Sequence, residues 1–268
     1  MNKVIEAEQL SKSYPGRGGW LRRSSPVEAV KAISLSLAQG ETLAIVGESG
    51  SGKSTLARML VGLETPSSGT LRIQGEESGQ LARRGAQAFG KTIQYVFQDP
   101  VASLNPRKTI GQQLSVPLRR LCGYRAAACP PRLRQLMAAV GMPADALHGY
   151  PHEFSGGQAQ RLAIARALAA EAQILVLDEP VSALDVSVQA QVLLLLEDLK
   201  TEFNLSYLFI SHDLAVVESI ADRVAVMNSG TIVECAATAT LFSAPQHAYT
   251  RQLLASAPGR AAHAGEAF

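Results

Sequence analysis

Cysteine is scarce in this sequence of 268 residues, and no two cysteines form a CxxC pair. The three that occur are Cys122, Cys129 and Cys235, an odd number at irregular spacing. This usage predicts free cytosolic thiols and argues against a disulfide framework. Structural zinc sites usually carry closely spaced cysteine pairs, so we also expect no zinc site built on these residues.

Long apolar runs are missing as well. The longest apolar pieces lie near Leu175 and at 192–196, and both are shorter than the roughly 18 residues that cross a membrane. The first residues place no apolar stretch behind a basic head, so we expect no secretory signal. The net charge is only +2, which is too balanced to indicate a nucleic-acid partner.

Apolar residues still make up 47% of the chain, and they fall into alternating strand and helix patterns. In chain order these patterns occupy 42–46, 55–61, 71–74, 92–97, 174–177, 188–201 and 208–210. Such alternation predicts an α/β fold with a mostly parallel sheet. Between about 99 and 165 the periodicity is helical instead, which predicts a helical lobe inserted into the core.

The patterns of apolar and polar residues differ at the two ends of the chain. Residues 4–10 and 29–37 alternate apolar and polar side chains as half-exposed strands do, with a Gly/Arg/Ser-rich loop at 15–26 between them. We therefore predict one domain over 1–240 and a short C-terminal extension over 241–268. The extension begins with a helix-like piece and ends in an Ala/Gly/His tail that we expect to be disordered.

One segment matches the phosphate-binding pattern G-x-x-x-x-G-K-[ST]. It consists of Gly47, Glu48, Ser49, Gly50, Ser51, Gly52, Lys53 and Ser54, and Thr55 follows. Glycines let the backbone curl so that N–H groups point at phosphate oxygens, and a helix start adds its positive dipole end. We expect Lys53 to reach the β- and γ-phosphates of ATP and the Ser54 hydroxyl to bind Mg²⁺. The pattern follows an apolar strand and opens a helix, which is the context it requires.

Two acids end the apolar strand pattern at 174–177. Asp178 and Glu179 would emerge at the carboxyl end of a buried strand, where ligands of open α/β sheets bind. Asp178 then suits a Mg²⁺ site, and Glu179 suits the polarisation of an attacking water. The alternative is a pair of acids that cap the following helix.

A third motif separates one family from other phosphate-loop proteins. Ser155, Gly156, Gly157 and Gln158 follow Phe154 and would form an anion site at a helix start. The segment resembles the signature sequence of the ABC ATPases, with Phe154 in place of the commoner leucine. This resemblance implies a phosphate-loop core, an N-terminal antiparallel β part and a helical lobe. It also implies that the signature grips the γ-phosphate of ATP held by an opposite subunit.

Other positions match the same family in order and cover roughly residues 4–240. Gln98 resembles the glutamine that binds Mg²⁺ and couples it to the membrane partner. Residues 182–185 resemble the D-loop. His212 resembles the switch histidine that contacts the γ-phosphate and supports Glu179. Tyr14 lies where the family places an aromatic ring that stacks on adenine.

Finer patterns resemble the ATPases of oligopeptide, dipeptide and nickel importers. They occur at 97–107, 150–154 and 245–254, and the long first loop with Trp20 resembles the second of two paired ATPases. This resemblance implies ATP and Mg²⁺ as cofactors and a different ATPase chain as dimer partner. It also implies two membrane permease subunits, indirect work with an extracytoplasmic binding protein, and peripheral attachment at the cytoplasmic face of the inner membrane. The cargo would be a peptide or a nickel chelate.

A rival function is a soluble ABC ATPase without a permease. Such proteins usually carry two cassettes in one chain or a coiled-coil insertion, and this sequence shows neither. The stretch 99–107 also favours a permease partner. The sequence therefore predicts the ATP-hydrolysing subunit of an importer.

Overall fold

The computed structural model of this protein describes residues 2–15 and 26–256. Most of the predicted first loop, with Trp20, and the predicted disordered tail after 256 lie outside the described residues. The strands are β1 Lys3–Tyr14, β2 Val27–Ala38, β3 Thr42–Val46, β4 Ser68–Ile73, β5 Glu76–Glu77, β6 Ile93–Val96, β7 Ile174–Asp178, β8 Ser206–Ile210, β9 Arg223–Asn228 and β10 Thr231–Ala237. The helices are α1 Lys53–Leu60, α2 Ser78–Arg83, α3 Ala86–Thr92, α4 Ile110–Arg120, α5 Cys129–Ala139, α6 Gly156–Leu168, α7 Val186–Glu202, α8 Leu214–Ile220, α9 Thr238–Ser243 and α10 Ala248–Ala255.

The described chain divides into two compact units. The first contains the residues up to Ser78 and those from Leu208 onward, and the second is Gly79–Tyr207. The predicted helical lobe, about 99–165, lies inside the second unit. None of the helices in the described ranges is long and apolar enough to cross a membrane.

The first unit begins with an antiparallel sheet in which β1 pairs with both β2 and β4. Val4, Ile5, Ala7 and Leu10 of β1 are buried. The pairing of β1 with β2 is irregular between Ala7 and Leu10, so the predicted alternation of buried and exposed positions is interrupted there. Both strands are longer than their sequence patterns, because the pairing continues past the apolar positions to Tyr14 and Val27.

A parallel strand pair forms the second part of this unit. All five residues of β3 are buried, and β3 pairs in parallel with β9. Burial on both faces is typical of a parallel sheet and explains the continuous apolar run Leu43–Val46. β9 in turn pairs antiparallel with β10, so the strand alternation extends beyond the last strand pattern seen in the sequence.

The second unit contains the other parallel pair, β6 and β7, together with α3 to α7 and all of α2 except its first residue. α6 buries most of its residues, many of them alanines, so neighbouring elements pack closely against it. α4 begins with a capping box in which Thr109 and Gln112 satisfy each other's backbone N–H groups. The α/β class with parallel pairing and an N-terminal antiparallel part is the predicted one.

Candidate functional site

The predicted site residues form three groups, each contained in one unit. The phosphate-loop segment 47–54, Tyr14 and His212 belong to the first unit. Gln98, Asp178 and Glu179 belong to the second unit, as does the segment 155–158.

The segment 47–54 curls between the end of β3 and the start of α1. The Lys53 ammonium donates to the carbonyl oxygens of Gly47 (2.7 Å) and Glu48 (2.9 Å), so it lies inside the curve of the loop. Lys53 opens α1, whose first turn also contains Ser54 and Thr55, both half-buried. This arrangement places a cation and the positive end of a helix at the same point, which suits a phosphate group.

Two glycines of this loop leave no room for a side chain. A Cβ on Gly47 would lie 2.1 Å from the Met227 carbonyl oxygen, and one on Gly52 would lie 2.2 Å from the Ala29 carbonyl oxygen. Gly52 also adopts a φ of +105°, which residues with side chains rarely take. The G-x-x-x-x-G spacing is therefore required by close backbone approach to β9 and β2.

The phosphate loop also contains a buried hydroxyl, that of Ser51. Ser51 is 6% exposed, and among the described residues its Oγ has no hydrogen-bond partner. Leaving a buried hydroxyl unpaired is costly, so such a group in a phosphate loop favours a bound ligand as its partner. The exposed residues Glu48, Ser49 and Gly50 form the tip of the same loop.

His212 lies just after β8, beside the strand that leads into the loop. Ser211 is buried and its N–H donates to the Ile45 carbonyl oxygen of β3 (3.3 Å), whereas His212 is exposed. Asp213 caps α8 through the N–H groups of Ala215 and Val216. The histidine is thus presented from a short turn that is held on both sides.

Tyr14 ends β1 and is half-buried. The Lys12 ammonium lies 5.3 Å from the centre of its ring, a cation–π contact on the face of the aromatic group. Its predicted stacking on adenine stays a prediction.

In the second unit, Gln98, Asp178 and Glu179 meet at the carboxyl ends of β6 and β7. The strands pair in parallel with Val96 opposite Leu177, which brings the residues that follow them side by side. The Gln98 amide nitrogen donates to Glu179 Oε2 at 3.0 Å. β7 ends at Asp178, Glu179 follows it, and the register of the two strands brings Gln98 beside Glu179.

Asp178 is 6% exposed, and the Tyr95 hydroxyl donates to its Oδ2. The sequence gives no local sign of this role for Tyr95, because the two partners are 83 residues apart. The following helix, α7, is capped by the separate residue Asp185, whose Oδ1 accepts from the Val188 N–H (3.0 Å). The alternative that Asp178 and Glu179 cap this helix is therefore excluded.

Glu179 has an unusual backbone conformation. Its φ is +48°, which is uncommon for a residue with a side chain and is concentrated at functional sites. The carbonyl oxygen of Glu179 accepts from both the N–H (3.3 Å) and the hydroxyl (3.1 Å) of Ser182, so a tight turn holds this conformation.

The segment 155–158 starts α6 with a reciprocal cap. Ser155 Oγ accepts from the Gln158 N–H (3.4 Å), and Gln158 Oε1 accepts from the Ser155 N–H (3.0 Å). Both residues and Gly156 are exposed, so the positive end of the helix faces outward as an anion site requires.

Gly157 and Gly156 have different structural surroundings. Gly157 is buried, and a Cβ there would lie 2.3 Å from Val188 Cγ1 of α7. A Cβ on Gly156 would meet only Leu184 Cδ2 at 3.5 Å, which is ordinary contact. One glycine of the pair thus permits close helix packing, and the other keeps the helix start open.

The pKa of the Asp185 carboxyl is shifted. The Val188 N–H and the Ser187 hydroxyl (2.9 Å) both donate to its carboxylate, and these bonds hold the pKa of Asp185 below its usual range. The group therefore stays charged and keeps α7 capped at neutral pH, and the cap is lost only as the pH falls through this lowered value.

Comparison with known proteins identifies the family. A family model described as ABC transporter matches residues 30–182. The oligopeptide transport ATP-binding protein AppF of Bacillus subtilis is 46% identical over 257 residues, which is 95% of this chain and 78% of that protein. OppF of Lactococcus lactis, also named for oligopeptide transport, is 43% identical over 96% of this chain and 81% of its own length. The glutathione import protein GsiA of Escherichia coli is 48% identical over 95% of this chain but only 41% of its own length.

Solved structures show the same fold. A dimeric ATP-binding cassette in a post-hydrolysis state with ADP and Pi has a TM-score of 0.76 at 26% identity, covering 87% of this chain and 98% of that one. cbiO1 from Clostridium perfringens, part of an ABC transporter complex, has a TM-score of 0.79 at 26% identity and covers 91% and 92%.

Proposed function

Because this chain belongs to the ABC transporter family, we propose that it is the ATP-hydrolysing subunit of an importer whose cargo is a peptide. Nucleotide binding and ATPase activity follow from the family. The peptide cargo is supported by the names of AppF and OppF, which this chain matches over nearly all of its length. A nickel chelate, the other cargo expected from the sequence, has no such support.

The observation that carries this proposal is the phosphate loop. Its carbonyl oxygens hold the Lys53 ammonium, α1 starts at the same point, and the buried Ser51 hydroxyl has no partner among the described residues. A triphosphate satisfies all three features, since it brings negative charge and many acceptor oxygens.

Lys53→Ala is expected to weaken ATP binding and turnover together. Removing one partner of a buried, hydrogen-bonded charge pair costs about 2–5 kcal/mol, so calorimetry should show a loss of binding of that size. Lys91→Ala, at an exposed position in α3, is the matched control and should bind ATP normally. Unchanged ATP affinity in a folded Lys53→Ala chain would show that the loop is not the phosphate site.

The residues expected at a magnesium ion fit that ion chemically. Ser54, Gln98 and Asp178 offer hydroxyl, amide and carboxylate oxygens, which are the hard ligands that Mg²⁺ prefers. The amide of Gln98 donates to Glu179 through its nitrogen, so its oxygen keeps its acceptor role. When bound, Mg²⁺ neutralises charge on the phosphates.

For hydrolysis, we assign Glu179 as the general base that polarises the attacking water. The hydrogen bond from Gln98 orients its carboxylate, and the turn at Ser182 fixes its backbone. His212 is assigned to the γ-phosphate and to the support of Glu179, and Tyr14 to the adenine ring. Each role matches the position of the residue in the family motifs.

The exposed start of α6 is assigned to a second ATP molecule. Ser155, Gly156 and Gln158 would contact the γ-phosphate of ATP held in the phosphate loop of an opposite ATPase subunit. The dimeric cassette similar to this chain supports such pairing. We propose a different ATPase chain as the natural partner, because the long first loop resembles the second of two paired ATPases.

The segment 99–107 is assigned to a membrane permease. Val101 within it is 43% exposed and the preceding Phe97 is 40% exposed, so apolar surface is available there. Arg166, whose pKa burial holds below its usual range, fixes the segment by donating to the carbonyl and hydroxyl (3.2 Å) oxygens of Ser103. A firmly held apolar surface suits docking. We propose that the chain lies at the cytoplasmic face of the inner membrane beside two permeases and works indirectly with an extracytoplasmic binding protein.

Isolation of the chain from membranes tests the assembly and the cargo. A tagged chain should co-purify with a second ATPase and two permeases, and the complex in proteoliposomes should take up peptides in an ATP-dependent manner. A Glu179→Gln complex serves as the inactive control. Uptake of nickel chelates in place of peptides would refute the cargo, and full ATPase activity without any membrane partner would favour a soluble ATPase.

A further inference from the structure

The C-terminal extension contacts the phosphate loop directly. The N–H of Glu48 donates to the Tyr249 hydroxyl of α10 at 3.3 Å, although the two residues are 201 positions apart. Both lie in the first unit, and Tyr249 is half-buried. In the sequence, residues 245–254 only resemble a segment of oligopeptide, dipeptide and nickel importer ATPases; the structure adds the contact of Tyr249 with the phosphate loop.

The contact fixes one particular peptide group. The amide between Gly47 and Glu48 accepts from the Lys53 ammonium through its carbonyl oxygen (2.7 Å) and donates to Tyr249 through its N–H. A peptide held at both ends resists rotation, and a donating N–H makes the carbonyl a better acceptor. Tyr249 therefore acts on the group that positions Lys53.

A carboxylate on β10, that of Glu234, fixes the residues that precede Tyr249. Glu234 Oε1 accepts from the Gln246 N–H (2.8 Å), and Oε2 accepts from the His247 N–H (2.9 Å). His247 Nδ1 then accepts from the N–H of Tyr249 (3.1 Å) at the start of α10. One side chain thus fixes the entry into the helix that carries the tyrosine.

The pKa of Glu234 is consistent with these hydrogen bonds. Partial burial alone would raise the pKa of Glu234, but the Gln246 N–H, the nearby Thr250 hydroxyl and the His247 N–H together outweigh it and hold the pKa below its usual range. The helix is anchored at its other positions by Thr250, which is fully buried, and by Leu254, which is 6% exposed.

The opposite side of the loop is fixed by other elements. The Gly230 N–H donates to the Ser51 carbonyl oxygen (3.0 Å), and Gly47 and Gly52 lie against backbone carbonyl oxygens of β9 and β2. Glu48 is exposed, so the tip of the loop lacks comparable packing. The Tyr249 hydroxyl restrains the loop at this point by accepting a hydrogen bond from the Glu48 N–H.

We propose that Tyr249 is a positioning residue for nucleotide binding, and that Glu234 sets its place. This inference rests on the proposed role of the phosphate loop. Tyr249 acts through the peptide at 47–48 and not by touching ATP, so it should govern affinity more than the rate of the chemical step.

Tyr249→Phe removes the hydroxyl and keeps the ring. We expect ATP to bind about fivefold more weakly, the scale of one net hydrogen bond, while kcat at saturating ATP stays within about twofold. Binding is measured by calorimetry on the full chain, and turnover in the assembled transporter. Tyr124→Phe, which removes a hydroxyl bonded to Glu171 (2.7 Å) in the second unit, is the control and should change neither quantity.

A double-mutant cycle tests the link between the two residues. Glu234→Ala should weaken ATP binding by a similar factor, and the double variant should be no weaker than the stronger single variant, because both changes release one contact. Unchanged affinity in Tyr249→Phe, or additive losses in the double variant, would overturn the inference. If the wild-type chain bound no ATP, the proposed function itself would fail and the inference with it.

Discussion

Glu179→Gln is expected to retain ATP binding and to lose at least about 10²-fold in kcat, the usual contribution of a general base. The phosphate loop and the predicted Mg²⁺ ligands are untouched by this change, so affinity should hold. A glutamine has the same shape as Glu179 and still offers an oxygen to the Gln98 amide, which lies 3.0 Å from the carboxylate in the wild type. What is lost is the negative charge that accepts a proton from water.

The measurement pairs single-turnover hydrolysis with ATP binding on the same preparation. Glu197→Gln removes a carboxylate at an exposed position of α7 and serves as the matched control, with wild-type turnover expected. Turnover of the Glu179→Gln protein within a few-fold of the wild type would refute the assignment of the base.

Gly156→Asp is expected to stop hydrolysis of ATP bound in the partner's phosphate loop. Like charges brought together in an interface cost several kcal/mol, so ATPase activity of the assembled complex should fall by at least about 10²-fold. The variant should fold, because a Cβ at this position makes only ordinary contact and an acid in the first turn of α6 favours the helix dipole. The isolated variant should still bind ATP in its own loop.

Gly156→Asn adds a side chain of the same shape without the charge and separates electrostatics from bulk. Its loss should be clearly smaller than that of Gly156→Asp. Normal hydrolysis by the Gly156→Asp complex would contradict a site shared between subunits. So would full activity of the isolated wild-type chain without partner or permease.

Much of this site was accessible from the sequence because its signals are local. The phosphate loop is one continuous segment between a buried strand and a helix, and its pattern dictates its chemistry. Asp178 and Glu179 end an apolar strand, and that strand has the predicted bounds to within one residue. Such features need no knowledge of distant partners.

Contacts between distant residues were not accessible in the same way. Tyr95 bonds Asp178 only because β6 and β7 pair in one register, and Tyr249 reaches Glu48 only after α10 has packed. No strand is predicted from the sequence for β9 or β10. No residue of β10 is buried, so that strand carries no apolar stripe, although the four central residues of β9 are buried. The positive φ of Glu179 likewise depends on a turn that closes at Ser182.

Because Gly157 has no side chain, α6 and α7 pack closely enough to move as one rigid body. Val188 fills the space next to Gly157, and Asp185 ties the start of α7 to the same residue. Protein interiors have low compressibility. We therefore expect the 155–158 segment and the 182–185 segment to move together. If ATP held by an opposite subunit binds at 155–158, as proposed, the packing of α6 on α7 would transmit that contact towards the turn at Ser182 that holds the backbone of Glu179.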